Sequence, residues 1–373
     1  MRNLTLIATI LIGVAYATET RIQVLTQNAL RDGYANFLLD DEYIIQFYPS
    51  ALFKFPAHAT LEMPNIPRNT LFGDYAYASA FGKYSNFGYG AYLGRSRVNL
   101  DYNFDGNSEL QITPLDLVGG INLENMALGL NLILGVYSDD DEQNPATTNN
   151  ANVIGFNPSL SFYPDEKSGI NIGIPVRFVS AKNKTGSTVN VEYSGSSFGF
   201  RGRYYNGPII VFASFTTGSI SSDNPATPDN PDIKSSITSF GAGAGLNLPI
   251  SDIGFGIIGL TANVESQNRT VGNQETKTSD FFLGFLIGGE VKALRDNFKL
   301  RSSFTYDFLR NVDANVKATG IGSVGDLTLG FGYEIGFIRF DASVSTELIY
   351  NGPYFLTGVP SGFIPSISIL GKF

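Results

Sequence analysis

Between Ile338 and Tyr350 the chain alternates without a break. Ile338, Phe340, Ala342, Val344, Thr346, Leu348 and Tyr350 share one face, and Arg339, Asp341, Ser343, Ser345 and Glu347 the other. A two-residue period marks a strand with one buried and one polar face, and no helix presents it. The dyad recurs at Leu327, Leu329, Phe331, Tyr333 and Ile335, and at Phe298, Leu300, Phe304, Tyr306 and Phe308. It returns in the last strand, where Phe363, Pro365, Ile367, Ile369, Gly371 and Phe373 lie on one side. Further strands are expected near 276–294, 252–266, 234–249, 207–220, 189–205, 169–181, 152–163, 126–137, 115–123, 86–95, 72–82 and 54–63. That makes sixteen, with fourteen left open because Ile209, Ile210, Val211 and Phe212 hide the facing of their strand. A parity change near Gly195 marks either a bulge or the point where a strand leaves the membrane.

Tight turns at Tyr84-Ser85, Glu124-Asn125, Asp165-Glu166, Asn206-Gly207, Ile250-Ser251, Arg295-Asp296 and Gly336 alternate with long polar loops. The long class includes 138–151, 219–233, 266–277, 311–322 and 350–362. Short turns on one side and long loops on the other are the pattern of a membrane barrel, with both chain ends on the short-turn side. Charged residues make up 16% and aromatics 13%, and mean hydropathy is +0.02. Nevertheless no segment beyond the first seventeen residues approaches the roughly 18–20 apolar residues of a membrane helix. A soluble sandwich would carry its charge outward, whereas here the polar face is rich in Gly, Ser and Thr and the apolar face is nearly charge-free. The expected fold class is all-β: a transmembrane antiparallel β-barrel of about 14–16 strands with an N-terminal luminal hatch segment.

Residues 1–17 read as a signal peptide, with Arg2, an apolar run from Leu4 to Tyr16, and the small pair Ala15 and Ala17 before the cleavage point. The expected organisation is 1–17 leader, 18–53 luminal or periplasmic hatch, and 54–373 barrel, exported to the bacterial outer membrane. The absence of Cys and the single His exclude thiol catalysis and cysteine-bound zinc. Net charge is −9. Loss of Arg2 with the leader makes it more negative, so nucleic acid is not an expected partner. No enzyme activity and no cofactor are expected. Gly320, Gly322 and Gly325 match a dinucleotide fingerprint by letters but lack a following helix. His58 shares a polar face with Glu62, with no serine nucleophile visible beside it. The Asn and Asp of 138–151 and 219–233 lack EF-hand spacing and read as solvated surface.

Ahead of the first strand, Asp40 and Asp41 are followed by Tyr48, Pro49, Ser50, Ala51 and Leu52. This stretch resembles the N-terminus of the long-chain fatty-acid transporter-type (FadL-like) and PorV-like outer-membrane barrels, which carry paired aspartates, an aromatic and then Asn-Pro-Ala-Gly. Tyr48 stands in place of the Asn, and Ala51 in place of the Gly. The resemblance covers about thirteen residues and the general architecture. It implies a segment folded into the lumen as a hatch, with Asp40, Asp41, Glu42 and Pro49 as its marked residues.

By parity Glu290, Lys292, Lys299, Arg301, Glu334, Arg339 and Asp341 point into the lumen near the short turns. They form either a bracing salt-bridge network or a charged ring that docks the acidic hatch residues. Gly241, Gly243 and Gly245, with Gly254 and Gly256 on the next strand, are expected to make a bare inner wall. That wall either receives the 18–53 segment or relieves crowding. The expected function is passage of small or hydrophobic solutes across the outer membrane, gated by the N-terminal segment. The alternative is a surface or secretion-associated scaffold whose long loops bind other proteins. Expected partners are membrane lipids, the solute, and the assembly machinery acting through Phe373.

Overall fold

The structure, a computed structural model, describes residues 37–39, 42–55, 57–64, 77–94, 98–101, 109–141, 147–165, 167–223, 232–250, 252–293, 295–313, 318–344 and 366–373. The expected leader, Asp40, Asp41 and the 350–362 loop lie outside these residues. The strands in chain order begin with β1 (His58–Pro64), β2 (Tyr77–Tyr84), β3 (Phe87–Leu93), β4 (Val98–Asp101), β5 (Glu109–Ile112) and β6 (Leu115–Leu123). Then come β7 (Met126–Asp141), β8 (Thr147–Asp165), β9 (Ser168–Gly173), β10 (Val176–Thr185), β11 (Thr188–Asn206) and β12 (Ile209–Asp223). The set ends with β13 (Ile233–Ile250), β14 (Gly254–Val271), β15 (Gln274–Ala293), β16 (Arg295–Asp313), β17 (Ala318–Ile335), β18 (Ile338–Val344) and β19 (Ser366–Lys372).

Every neighbouring pair in the wall is antiparallel, and β19 pairs with both β18 and β1, which closes the sheet. Closure leaves no edge whose N–H and C=O groups would face lipid unpaired. β9 and β10 both lie between β8 and β11 and are two halves of one stave, interrupted at Ile174-Pro175. Proline has no N–H to give the ladder. Among the described residues the barrel therefore has sixteen staves.

Alternation along each stave decides its facing. On β13, Phe240, Ala244, Leu246 and Leu248 are exposed while Gly241 and Gly245 are buried. On β16, Leu300, Phe304 and Tyr306 are exposed while Arg301, Ser303 and Thr305 are buried. Apolar side chains outside and polar ones inside invert the arrangement of a soluble globule and suit a wall standing in hydrocarbon. The ambiguous 207–220 segment resolves in the same way: Ile210, Phe212 and Ser214 face in, Ile209 and Val211 face out.

Several sequence-based bounds change. Lys54, Phe55 and Ala57, expected in the first strand, precede it, and Lys54 ends a 3₁₀ turn that Pro49 opens, Pro49–Lys54. A fixed proline φ suits the first position of such a turn. The expected loop 266–277 is largely strand, and the described residues of 138–151, 219–233 and 311–322 are strand apart from Asp232. β14 and β15, for example, run on to a turn at Gly272, whose φ is 57°. Hydrophobic alternation stops where lipid stops, but the ladder continues through Ser, Thr and Asn, as in the Thr217–Thr238 and Asn268–Glu275 side-chain bonds. A tilted membrane strand needs only about 9–11 residues. No bulge occurs at Gly195, where β11 pairs with β12 in unbroken register. Outward Ser194 and Ser196 give way there to Phe198, so this is the lipid boundary.

At the short turns, Ser85 and Glu124 are held at φ 53° and 57° without being glycine. Such left-handed positions favour Asn or Gly. Glu124→Asn is expected to stabilise the barrel by about 0.5–1 kcal/mol, read as a higher urea midpoint in lipid vesicles. An unchanged or lower midpoint would show that the turn is not strained.

Candidate functional site: the occupied lumen

Inward residues of adjacent staves fall into register rows, and one row is almost bare. Gly88 on β3 pairs with Gly120 on β6, Gly120 with Gly129 on β7, Gly129 with Ser159 on β8, and Ser159 with Gly173 on β9. Five successive staves thus form a trough on the inner wall, and the 47–53 backbone lies along it. A Cβ on Gly129 would overlap the backbone nitrogen of Ser50. One on Gly173 would sit 2.6 Å from the carbonyl oxygen of Phe47, and one on Gly88 2.6 Å from the Leu52 side chain. Glycine in a strand interior here marks the close approach of another backbone.

Hydrogen bonds secure the same stretch. The Ser50 N–H donates to Ser159 Oγ at 2.7 Å, and the Ser50 and Ser161 hydroxyls are 2.7 Å apart. Ser161 Oγ in turn donates to Asn171 Oδ1. Asn157 Nδ2 donates to the carbonyls of Gln46 (3.2 Å) and Phe47 (3.0 Å), and Lys83 Nζ to that of Phe53. The segment's earlier part is gripped by Arg203, whose Nε and Nη2 donate to the Phe37 and Leu39 carbonyls at 2.8 and 3.0 Å, and by Asn247 on the Leu38 carbonyl. Tyr48, Pro49, Ser50, Ala51 and Leu52 are all buried. Burial pushes the Tyr48 phenol above its ordinary range.

Apolar side chains of the segment span the lumen. Phe37, Leu38, Ile44, Ile45 and Leu52 pack in one cluster with Phe81 and Tyr92 on one side of the barrel and Phe212, Ile257 and Leu286 on another. Residues 37–39 and 42–55 therefore occupy the barrel interior at this level.

The predicted lumen charges do meet. Arg301 bonds Glu290 (2.5 Å) and Asp341, Arg339 bonds Asp341 at 2.9 Å, and Lys299 bonds Glu334 at 2.8 Å. Lys292 stands exposed at the end of its strand, opposite Lys299. Arg301 and Arg339 bond wall carboxylates on their own stave or one or two staves away, and the expected partnership with the hatch acids Asp40 and Asp41 lies outside the described residues. Glu42 opens a 3₁₀ turn, Glu42–Gln46, and is half-buried. His58 and Glu62 are buried inward, His58 against the Phe81 ring.

The glycine wall needs correction. Gly254 and Gly256 pair with Ile250 and Leu248, so they share the outward face; the inward glycine beside Gly245 is Gly259. Three residues separate Ile250 from Gly254, and an odd turn inverts the facing that a two-residue turn would give. Leu38 lies against Gly245 and Gly259, while Gly243 accommodates the Phe212 ring. Sequence reading missed Gly88, Gly120, Gly129, Gly173, Asn157, Ser159 and Arg203. Their only signal was inward parity in separate strands.

No protein-family model and no curated protein matches the sequence. Among solved structures, a Pseudomonas aeruginosa FadL homologue is 14% identical, with a TM-score of 0.48 over 97% of this chain and 100% of that one. CdiB from Escherichia coli is 9% identical, with a TM-score of 0.44 over 86% of this chain and 63% of that one. The alcaligin outer-membrane receptor FauA from Bordetella pertussis is 10% identical, with a TM-score of 0.41 over 78% and 60%. The chain spans less than two thirds of the length of the last two. The architecture is a closed antiparallel β-barrel of sixteen staves with an apolar outer face.

Proposed function

We propose that this barrel is a bacterial outer-membrane channel for small or hydrophobic solutes, gated by residues 37–55. The observation that carries this reading is the manner of seating. The segment is held by hydrogen bonds to its backbone and by apolar contact with a glycine trough, and beyond its peptide connection to β1 a chain without cysteine has no disulfide to fasten it. Each such bond contributes about 0.5–1.5 kcal/mol net and can be broken singly, so parts of the segment can lift without the whole seat emptying. Phe373, exposed beyond the closing strand β19, is the proposed handle for the assembly machinery.

Single-channel conductance in planar bilayers, with and without residues 18–53, tests the gate. The truncated barrel is expected to conduct several-fold more current than the full chain, with heat-modifiability on gels confirming that it is folded. Equal conductance from two folded forms would reject gating by this segment. A scaffold reading draws on the Ser- and Thr-rich hairpins that rise beyond the lipid band, β12–β13 and β14–β15. It would be favoured if neither form conducts.

A further inference from the structure

On the short-turn side of the trough a cavity of about 220 Å³ lies between the seated segment and the wall. Phe53 and Lys54, at the end of the Pro49–Lys54 turn, make one side of it. The other side comes from stave ends: Asn122 and Glu124 at the β6–β7 turn, Tyr163 and Asp165 at the β8–β9 turn, and Tyr205 at the β11–β12 turn. Opposite Tyr205, β9 presents Gly169, where a Cβ would stand 2.5 Å from the Tyr205 hydroxyl. That bare position gives the ring its room.

The lining combines aromatic faces with carboxylates, and it already holds one ammonium. Lys54 Nζ stands 3.8 Å from the centroid of the Tyr205 ring. Arg203 lies 5.3 Å from the same centroid, but its Nε and Nη2 are given to the Phe37 and Leu39 carbonyls. Asp165 is fixed by its own turn, accepting the Lys167 N–H and the Ser168 hydroxyl, both at 2.7 Å. Each of its oxygens keeps a further lone pair for an incoming donor. The Lys167 side chain is exposed and is not part of the lining. Among the lining residues two carboxylates therefore stand against one cation, Lys54. Glu124 keeps its place at φ 57°, a left-handed position that Asn fills at lower cost.

We propose that this cavity is a binding site for a primary alkylammonium group, which takes the place of Lys54 on Tyr205. An aromatic face attracts a cation. The N–H donors of a primary ammonium suit the carboxylates of Glu124 and Asp165, whereas a quaternary ammonium has none to give. Lys54 shows the fit, since its side chain is an alkyl stem that ends in this group. The site goes beyond solute passage, and its test does not need the barrel to conduct. A free amine and the lysine of another protein carry the same chemistry, so both serve as probes.

Binding of pentylammonium and of acetyl-glycyl-lysyl-glycine amide is followed by saturation-transfer NMR on the full chain in phosphatidylcholine nanodiscs, after subtraction of empty nanodiscs. Pentylammonium is expected to bind wild type more tightly than its trimethylated counterpart, and 1-pentanol, with the same stem and no charge, is expected to give no signal. Lys54→Ala, which removes the resident competitor, should bind pentylammonium about threefold tighter or more. Asp165→Asn, at an exposed turn position that Asn suits, should bind it about twofold to fivefold more weakly. A peptide signal equal to that of the amine points to a partner's lysine as the source, and a signal from the amine alone to a free amine; either upholds the site. No gain from Lys54→Ala, or equal signals from pentylammonium and 1-pentanol, overturns it.

Discussion

Gly129→Val should unseat the Pro49–Lys54 turn and leave the barrel intact. The valine Cβ would overlap the Ser50 nitrogen and the Pro49 carbonyl carbon. These are backbone atoms, which cannot swing aside as a side chain end does. Overpacking of this kind costs about 1–3 kcal/mol. The two Ser50 bonds to Ser159 and Ser161 are lost on unseating in wild type as well, so the overpacking cost alone shifts the seated-to-unseated ratio, by about fivefold to a hundredfold. The measurement is open probability in planar bilayers together with protease cleavage within residues 37–55. Both should rise about fivefold or more. Gly119→Val is the control, because Gly119 lies one residue from the trough on the outward face and its Cβ would meet nothing within 4 Å. Valine also suits a strand better than glycine. If Gly129→Val and Gly119→Val both behave as wild type, the trough is not a seat.

Arg301→Met should be the most damaging single change in the lower lumen. The Arg301 side chain has no exposed surface, and it bonds Glu290 on one neighbouring stave and reaches Asp341 across β17. Removing it takes the close partner from Glu290, whose next cations, Lys299 and Arg339, stand 4.0 Å away, and leaves the fully buried Asp341 with Arg339. Breaking a buried pair from one side typically costs about 3–5 kcal/mol. Urea unfolding in lipid vesicles should show a loss of that order. Adding Glu290→Gln should recover much of it, since that uncompensated charge is then gone, whereas Asp341→Asn would remove the carboxylate that Arg339 bonds. A midpoint within error of wild type for Arg301→Met alone would mean that the cluster is well hydrated and carries no structural weight.

The two experiments address different parts of one interior, and they differ in how visible those parts were beforehand. The charged cluster was readable because each member sits at an inward position near a short turn, on staves that follow one another in the chain. Short turns keep consecutive staves in a predictable register, so parity alone brings Glu290, Arg301 and Asp341 to the same region. The trough was not readable in this way. Gly88, Gly129 and Gly173 are separated by long stretches, and each looks like an ordinary strand glycine. They line up only because particular ladder pairings bring β3, β6, β7, β8 and β9 to one height.

Gly254 and Gly256 show how little is needed to defeat parity. One extra residue in the Ile250–Gly254 turn turns both to the lipid side. The hairpin that carries Ile112 went unassigned because it belongs to neither face of the wall. Its strands pair with each other and not with their sequence neighbours in the barrel.

The amino-acid order alone determined that the chain forms staves with one apolar and one polar face, because a period of two leaves no other regular structure. It also determined that these staves close in a membrane, because an apolar outer face and unpaired edges cannot both be left in water. Only the tertiary structure decided which inward residues share a height, what lies over them, and where the chain folds back into its own lumen. Those depend on register and turn length, which shift by one residue without any change in the alternation that the sequence displays.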